Sequence, residues 1–343
     1  MKHKRWLTLP LLLLAIFLLI FAGCGCLSAE TPPQAEKKLH NFLIAGYDEA
    51  ACNTDVLALV SYDAAAHTVS VMQIPRDTYL SSAPYPHKIN AVFAAACAAR
   101  EDSLQGKREA MSLLQRTICE TFGVPIDHYI AVSLQDFVQM IDRMGGVEVT
   151  LPFDMSYWDE ARQRTVALKA GKQTLNGRMA EQFVRFRRGY AEGDLGRIDA
   201  QKLLIAALLD KAGEMNISVM GVVFTEMREH MVTDVGASEA LTYLAHFLKD
   251  YRHTKLTFMN LPGEAVTERQ ISYYAANRAA SAELLGRYFS PRPDTYRAAD
   301  FDPRRALVRP GSVSMRQVYE RQQMPYHIFT KEELQDMHIK TKG

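Results

Sequence analysis

The sequence lacks the commonest catalytic signatures: there is no Gly-x-x-x-x-Gly-Lys-Ser/Thr phosphate loop, no Gly-x-Ser-x-Gly elbow and no His-Glu-x-x-His zinc helix. The enzyme classes built on those motifs recede accordingly. Cysteine is scarce, with five in 343 residues. Cys24 and Cys26 sit near the end of an apolar N-terminal run, which leaves Cys52, Cys97 and Cys119 in the body, without metal-ligand spacing. Two readings of those three stay open: one disulfide, Cys97 with Cys119, or three buried structural thiols. Charge of one sign is also missing, because 40 Lys and Arg face 39 Asp and Glu. No global field recruits nucleic acid, so any anion site must be a local cluster. No internal repeat is present.

What is present begins with Lys2, Lys4 and Arg5, followed by an uncharged run from Trp6 to Ala22 and small residues from Gly23. Extended to Leu27, this stretch approaches the roughly 20 apolar residues that span a bilayer core, and its basic flank favours a cytoplasmic N-terminus. The expected order is a cytoplasmic tail at 1–5, a single transmembrane signal anchor at 6–27, a linker at 28–40 and an extracytoplasmic domain at 41–290. A tail at 291–343 follows. The competing readings are a cleavable signal peptide and a lipoprotein attached through Cys24, because Phe21-Ala22-Gly23-Cys24 resembles a lipoprotein cleavage site. All three export the domain.

At 48% hydrophobic content, the remainder can bury the core of one large domain or two small ones. Strands are expected at Phe42 to Gly46, Val56 to Ser61, Val69 to Ile74, His128 to Val132, Val147 to Leu151 and Lys255 to Leu261. Two helices around a break at Gly106 fit Ala91 to Phe122, with Gly123 as the stop. Further helices fit Leu134 to Met144, Gly177 to Phe186, Ile198 to Ala212, Val219 to His230, Ser238 to Tyr251 and Ala279 to Tyr288. The alternation indicates a layered α/β or α+β domain. The proline-punctuated segment after Tyr288 reads as a wrapping or mobile tail. Within it, Thr330 and Glu333 have the spacing of a capping box at the start of a helix over Lys331 to Met337.

Acids and arginines gather at strand ends. Asp48 follows the first strand and Asp55 opens the second, so both carboxylates can reach one sheet edge, where two hard oxygen donors suit Mg²⁺. Capping of loop turns is the other reading. Pro75-Arg76-Asp77-Thr78 ends the third strand, where ligand sites collect on α/β sheets, as a salt bridge or as an arginine fork aimed at phosphate. The densest cluster is Val184-Arg185-Phe186-Arg187-Arg188, then Asp194-Leu195-Gly196-Arg197 and Gln201. Arg185 and Arg187, two apart, would point the same way on an extended segment. Arg197 and Gln201, four apart, would share a face at the positive end of a helix. Glu192, Asp194 and Asp199 could balance the charge internally. A bound pyrophosphate explains the clustering more fully, because each charge-assisted contact contributes about 1.5 to 3 kcal/mol.

These segments resemble the LytR-CpsA-Psr family in order and spacing across roughly Asn41 to Ala212, and more faintly to Tyr288. They are Asn41 to Asp48, Thr54-Asp55, Ile74 to Tyr79, Lys88-Ile89-Asn90-Ala91, Ile141-Asp142 through Gly145-Gly146-Val147, Leu175-Asn176-Gly177, Val184 to Arg187 and Asp194 to Arg197. The resemblance implies a central mixed β-sheet flanked by helices on both faces, with a long apolar pocket for a polyprenyl chain. It implies a phosphotransferase that moves an anionic glycopolymer, teichoic acid or capsule, from a polyprenyl pyrophosphate carrier to peptidoglycan at the membrane. By the same resemblance, Asp48 and Asp55 would hold Mg²⁺, and Arg76, Lys88, Arg185, Arg187, Arg197 and Gln201 would bind the pyrophosphate. Asp77 and Asp194 would orient the arginines or handle the acceptor proton. Asn53, Leu80 and Ala200 depart from the family, which often has arginine at those places. A non-catalytic carrier-binding scaffold and a lipid pyrophosphatase are the alternatives.

Overall fold

The computed structural model describes residues 39–49, 52–159, 163–186, 194–228, 230–236, 238–240, 242, 253–303 and 313–335. The anchor segment 6–27, the linker to residue 38, Arg187 and most of the helix expected over Ser238 to Tyr251 lie outside them. Among the described residues no helix is long and apolar enough to cross a membrane.

The chain opens with a meander: β1 (Leu39–Tyr47), β2 (Thr54–Asp63) and β3 (Thr68–Ile74) pair antiparallel in sequence order. The turn between β2 and β3 is closed by Asp63, whose carboxylate accepts from the Ala65 and Ala66 amides at 3.0 and 2.9 Å. β4 (His128–Ser133) joins β1 in parallel, and β10 (Lys255–Asn260) joins β3 in parallel. Two short antiparallel edges, β9 (Val232–Thr233) and β13 (Ile328–Thr330), complete a seven-stranded mixed sheet in the order β13-β10-β3-β2-β1-β4-β9. β1, β3, β4 and β10 therefore run the same way. Their carboxyl ends and the start of β2 share one edge.

β1 to β3 read as nearly unbroken apolar runs because the sheet is covered on both faces. Phe42 and Ile44 enter one core, while Leu43, Ala45 and Tyr47 enter the other. The first core is filled by α3 (Leu134–Arg143), α4 (Gly177–Arg185), α5 (Asp194–Glu214) and α6 (Ile217–Arg228). The second is filled by α1 (Asn90–Ala98), α2 (Leu104–Phe122) and α7 (Arg278–Tyr288). The mixed sheet with helices on both faces agrees with the expected architecture.

Several local expectations shift. The helix break precedes Gly106: Ser103 caps α2 by accepting from the Gly106 amide at 3.1 Å, so the glycine lies in the first turn. Gly123 stops the helix in the left-handed region, φ 62°. Three ribbons form beside the main sheet, and all their strands but β5 add to those expected: β5 (Val147–Leu151) with β8 (Gly171–Leu175), β6 (Met155–Asp159) with β7 (Arg164–Leu168), and β11 (Gly263–Glu268) with β12 (Ile271–Ala276).

The folded unit does not stop at residue 290. α8 (Val313–Glu320) packs Met315 and Val318 against Tyr273 and Ala275 of β12. Buried Asn277 caps α7 and donates to the carbonyls of Val318 and Arg321 at 2.7 and 2.8 Å. β13 then extends the main sheet and leads into α9 (Lys331–Gln335). There the capping box is present in both directions: the Thr330 amide donates to Glu333 at 2.7 Å, and the Glu333 amide donates to the Thr330 hydroxyl at 3.2 Å.

Candidate functional site

The β2–β3 register places Leu57 opposite Ile74, and continuing that ladder by two residues brings Asp55 opposite Arg76. The two side chains are ion-paired there, with the Asp55 carboxylate 5% exposed and the guanidinium 36%. Asp48 begins the loop leaving β1, is itself buried, and fixes that loop by donating its amide to the Asn53 carbonyl at 3.2 Å. Both Asp48 and Asp77 lie close enough to act on Asp55 electrostatically. On the other side of Asp77, the Lys88 ammonium donates to its carboxylate at 2.8 Å and lies over the Tyr273 ring, 5.7 Å from its centre.

This edge thus gathers three carboxylates and two cations. Burial pushes the Asp55 carboxyl up to about 7, against the lowering effect of Arg76, and the negative charges of Asp48 and Asp77 push the same way. A group in that condition gains from any further cation. Two buried carboxylates fit Mg²⁺, which takes one or two such ligands and completes its shell with water and phosphate. Among the described residues, no set of three or more His, Cys, Asp or Glu side chains is placed to hold a metal.

A second group comes from the helical layer. Arg185 is the last residue of α4 and not part of an extended segment, so the expected extended presentation of Arg185 and Arg187 does not hold for Arg185. Its guanidinium donates to Glu181, one turn earlier, at 2.6 Å, and Glu181 is 4% exposed. The expected balancing acids were Glu192, Asp194 and Asp199. Glu181 was missed, although its spacing of four from Arg185 on a helix is a readable signal. Gln201, one turn beyond Arg197 on α5, is fully buried and its amide oxygen accepts from Gln73 of β3 at 2.8 Å. That bond ties the first turns of α5 to the carboxyl end of β3, three residues before Arg76. The Gln201 amide nitrogen has no hydrogen-bond partner among the described residues. Gln73 could have been noticed as the polar residue in an apolar strand. Arg187 and the side chains of Asp194 and Arg197 lie outside the described residues.

The LytR_cpsA_psr family model matches residues 27–288. The chain belongs to this family. It is 27% identical to the polyisoprenyl-teichoic acid–peptidoglycan teichoic acid transferase TagV of Bacillus subtilis, over 76% of this chain and 67% of TagV. It is likewise 27% identical to the transferase TagU of Oceanobacillus iheyensis, over 80% of this chain and 90% of TagU. Among solved structures, B. subtilis TagV superposes with a TM-score of 0.56 at 24% identity, over 70% of this chain and 92% of that one. The protein gbs0355 of Streptococcus agalactiae superposes with a TM-score of 0.63 at 20% identity, over 76% and 90%. These superpositions carry the LytR-CpsA-Psr fold.

Two of the three departures from the family pattern are packing positions here. Leu80 is 2% exposed in the core beneath α1 and α2, and Ala200, on α5 itself, is fully buried in the other core. Neither site has room for a solvated guanidinium without rearrangement.

Proposed function

We propose that this chain is a Mg²⁺-dependent phosphotransferase that moves an anionic glycopolymer from a polyprenyl pyrophosphate carrier onto peptidoglycan, outside the cytoplasm, held to the membrane by residues 6–27. What carries the reading is the convergence of Asp48, Asp55, Arg76, Asp77 and Lys88 at one sheet edge of a LytR-CpsA-Psr fold. The names of TagV and TagU as teichoic acid transferases supply the polymer class and the acceptor.

Asp48 and Asp55 would hold the ion, which supplies charge neutralisation at the pyrophosphate. Arg76, ion-paired with Asp55, would offer its planar fork to phosphate oxygens. Lys88 adds a point charge beside it. Arg185 and Gln201 would join the clamp from the helical layer, and Arg187 and Arg197 are assigned to it by their place in the family pattern. The core layer between the sheet and α3 to α6 is methionine-rich, with Met140, Met144, Met220 and Met227 all buried, and would have to repack to admit the carrier's lipid, which flexible methionines allow.

The acceptor hydroxyl attacks the phosphorus that bears the sugar, its proton passes to Asp77, and the bond to polyprenyl phosphate breaks. A sugar–phosphate–peptidoglycan diester remains. Positioning and electrostatics do most of the catalytic work. The test is a reconstituted reaction of the full chain with a polyprenyl pyrophosphate oligosaccharide, a peptidoglycan oligomer and Mg²⁺, read by mass spectrometry. The expected product is the phosphodiester-linked conjugate. Free phosphosugar without conjugate would replace the reading by a pyrophosphatase, and tight binding without turnover by a scaffold.

A further inference from the structure

We propose that Cys52 and Cys97 form a disulfide that ties the β1–β2 loop to α1 and closes a covalent ring around the candidate site. The proposal rests on the reading that the domain is exported, where disulfides persist.

Three observations bring the pair together. Cys52 lies in the loop between Asp48 and Asp55, 9% exposed, with its amide donating to the Asp48 carbonyl at 2.8 Å. Cys97 occupies the last turn of α1, and its thiol and that of Cys52, both free in this structure, lie close enough to act on each other. One turn earlier on the same helix face, Phe93 packs against Tyr47 at the end of β1, with ring centres 5.6 Å apart. The helix is thus registered on this loop at two successive turns. The Lys107 ammonium, held by Asp102 at 2.8 Å, lies close enough to act on both thiols. Cys119 instead has Ile126 and Asp127 as its neighbours. Of the two readings the sequence left open, Cys97 paired with Cys119 or three thiols, the paired one gives way to Cys97 with Cys52.

With a loop on one side and a helix end on the other, rotation of the two side chains can bring neighbouring thiols to the bond length of about 2.05 Å. The oxidant is a disulfide donor: an exported thiol oxidase in the cell, oxidised glutathione in the tube. One thiol of the pair loses its proton and attacks a donor sulfur, giving a mixed disulfide and releasing one donor thiol. The second thiol, deprotonated in turn, attacks the mixed disulfide at the protein sulfur, closes Cys52–Cys97 and releases the other donor thiol. Two electrons pass from the pair to the donor. The ring so closed contains Asp55, Arg76, Asp77 and Lys88. Asp48 lies just outside it, held by the same loop.

The test uses the full chain in detergent, reduced with a phosphine, then treated with oxidised glutathione, alkylated and mapped by non-reducing peptide mass spectrometry. The expected result is a linked Cys52–Cys97 peptide with Cys119 alkylated, and the same peptide in protein alkylated inside intact cells before isolation. Oxidation should raise the Tm by about 5 °C. Cys97→Ser should abolish that rise, and Cys119→Ser should leave it intact. Alkylation of both Cys52 and Cys97 after glutathione treatment, or a Cys97–Cys119 peptide, would overturn the pairing. A linked peptide in the tube with free thiols in protein from cells would also overturn the proposal, and would place the fault in the export reading and not in the geometry.

Discussion

Replacing Asp55 by asparagine in the metal-free protein isolates the energetics of one buried carboxylate. The substitution keeps the shape and an acceptor for Arg76 but removes the charge. Burial raises the Asp55 carboxyl from its ordinary 3.8 to about 7. The folded state therefore holds the proton more tightly than the unfolded chain does. Its stabilising contribution is complete below about pH 4 and is lost as pH rises through about 7. The gap between 3.8 and about 7 corresponds to about 4 kcal/mol. Urea unfolding in chelator across this range should show the wild type losing about 4 kcal/mol relative to Asp55→Asn, with the difference flat above about pH 7. Taking the difference between the two proteins removes the contributions of Asp136, whose carboxyl burial raises, and of His128, whose imidazole burial lowers but Asp234 and Glu239 together raise. At pH 8, Mg²⁺ should restore stability to the wild type and not to the variant. A difference that stays constant with pH, or an equal response to Mg²⁺, would refute the claim that Asp55 is a buried carboxylate awaiting a cation.

Arg185→Ala takes a charge partner from the buried Glu181 carboxylate and should cost about 2 kcal/mol, with part of it recovered in the double variant that adds Glu181→Gln; chemical denaturation reads both. Gly177→Ala drives a methyl group into the Val138 carbonyl where α4 crosses α3, and should lower stability by about 3 kcal/mol, seen as a drop in Tm. Thr330→Ala removes one arm of the α9 capping box and should cost about 1 kcal/mol in a denaturant titration. Arg76→Lys keeps the charge but loses the fork, and should cut turnover of lipid-linked donor about 100-fold with a smaller effect on carrier binding.

The sheet's central strands were legible because they are buried on both faces and so read as apolar runs, and the helix stops because Gly123 and Gly145-Gly146 sit at positive φ. The β11–β12 hairpin was not. Its turn uses Arg269 and Gln270 at φ 47° and 66°, residues that rarely adopt that region and so give no turn signal. The β6–β7 ribbon turns through Gln163 at φ 48° for the same reason. Within the site, sequence spacing put Asp48, Asp55, Arg76 and Asp77 at strand ends one by one. The partnership of Asp55 with Arg76 depends on the register of two strands, which no local motif states. The expected helix over Gly177 to Phe186 does hold Arg185; the competing reading of Arg185 and Arg187 as one face of an extended segment fails because the helix carries through the first of them.

The measurement that bears most directly on the transferase reading is a single-turnover reaction of the full chain with a lipid-linked donor and a peptidoglycan oligomer, run with Mg²⁺ and with chelator, for the wild type, Asp48→Ala and Asp55→Ala. The expected result is a phosphodiester-linked conjugate from the wild type with Mg²⁺, none in chelator, little from Asp48→Ala and none from a folded Asp55→Ala. Conjugate formed at the wild-type rate by folded Asp55→Ala, or by the wild type in chelator, would contradict a Mg²⁺-dependent transfer at this sheet edge.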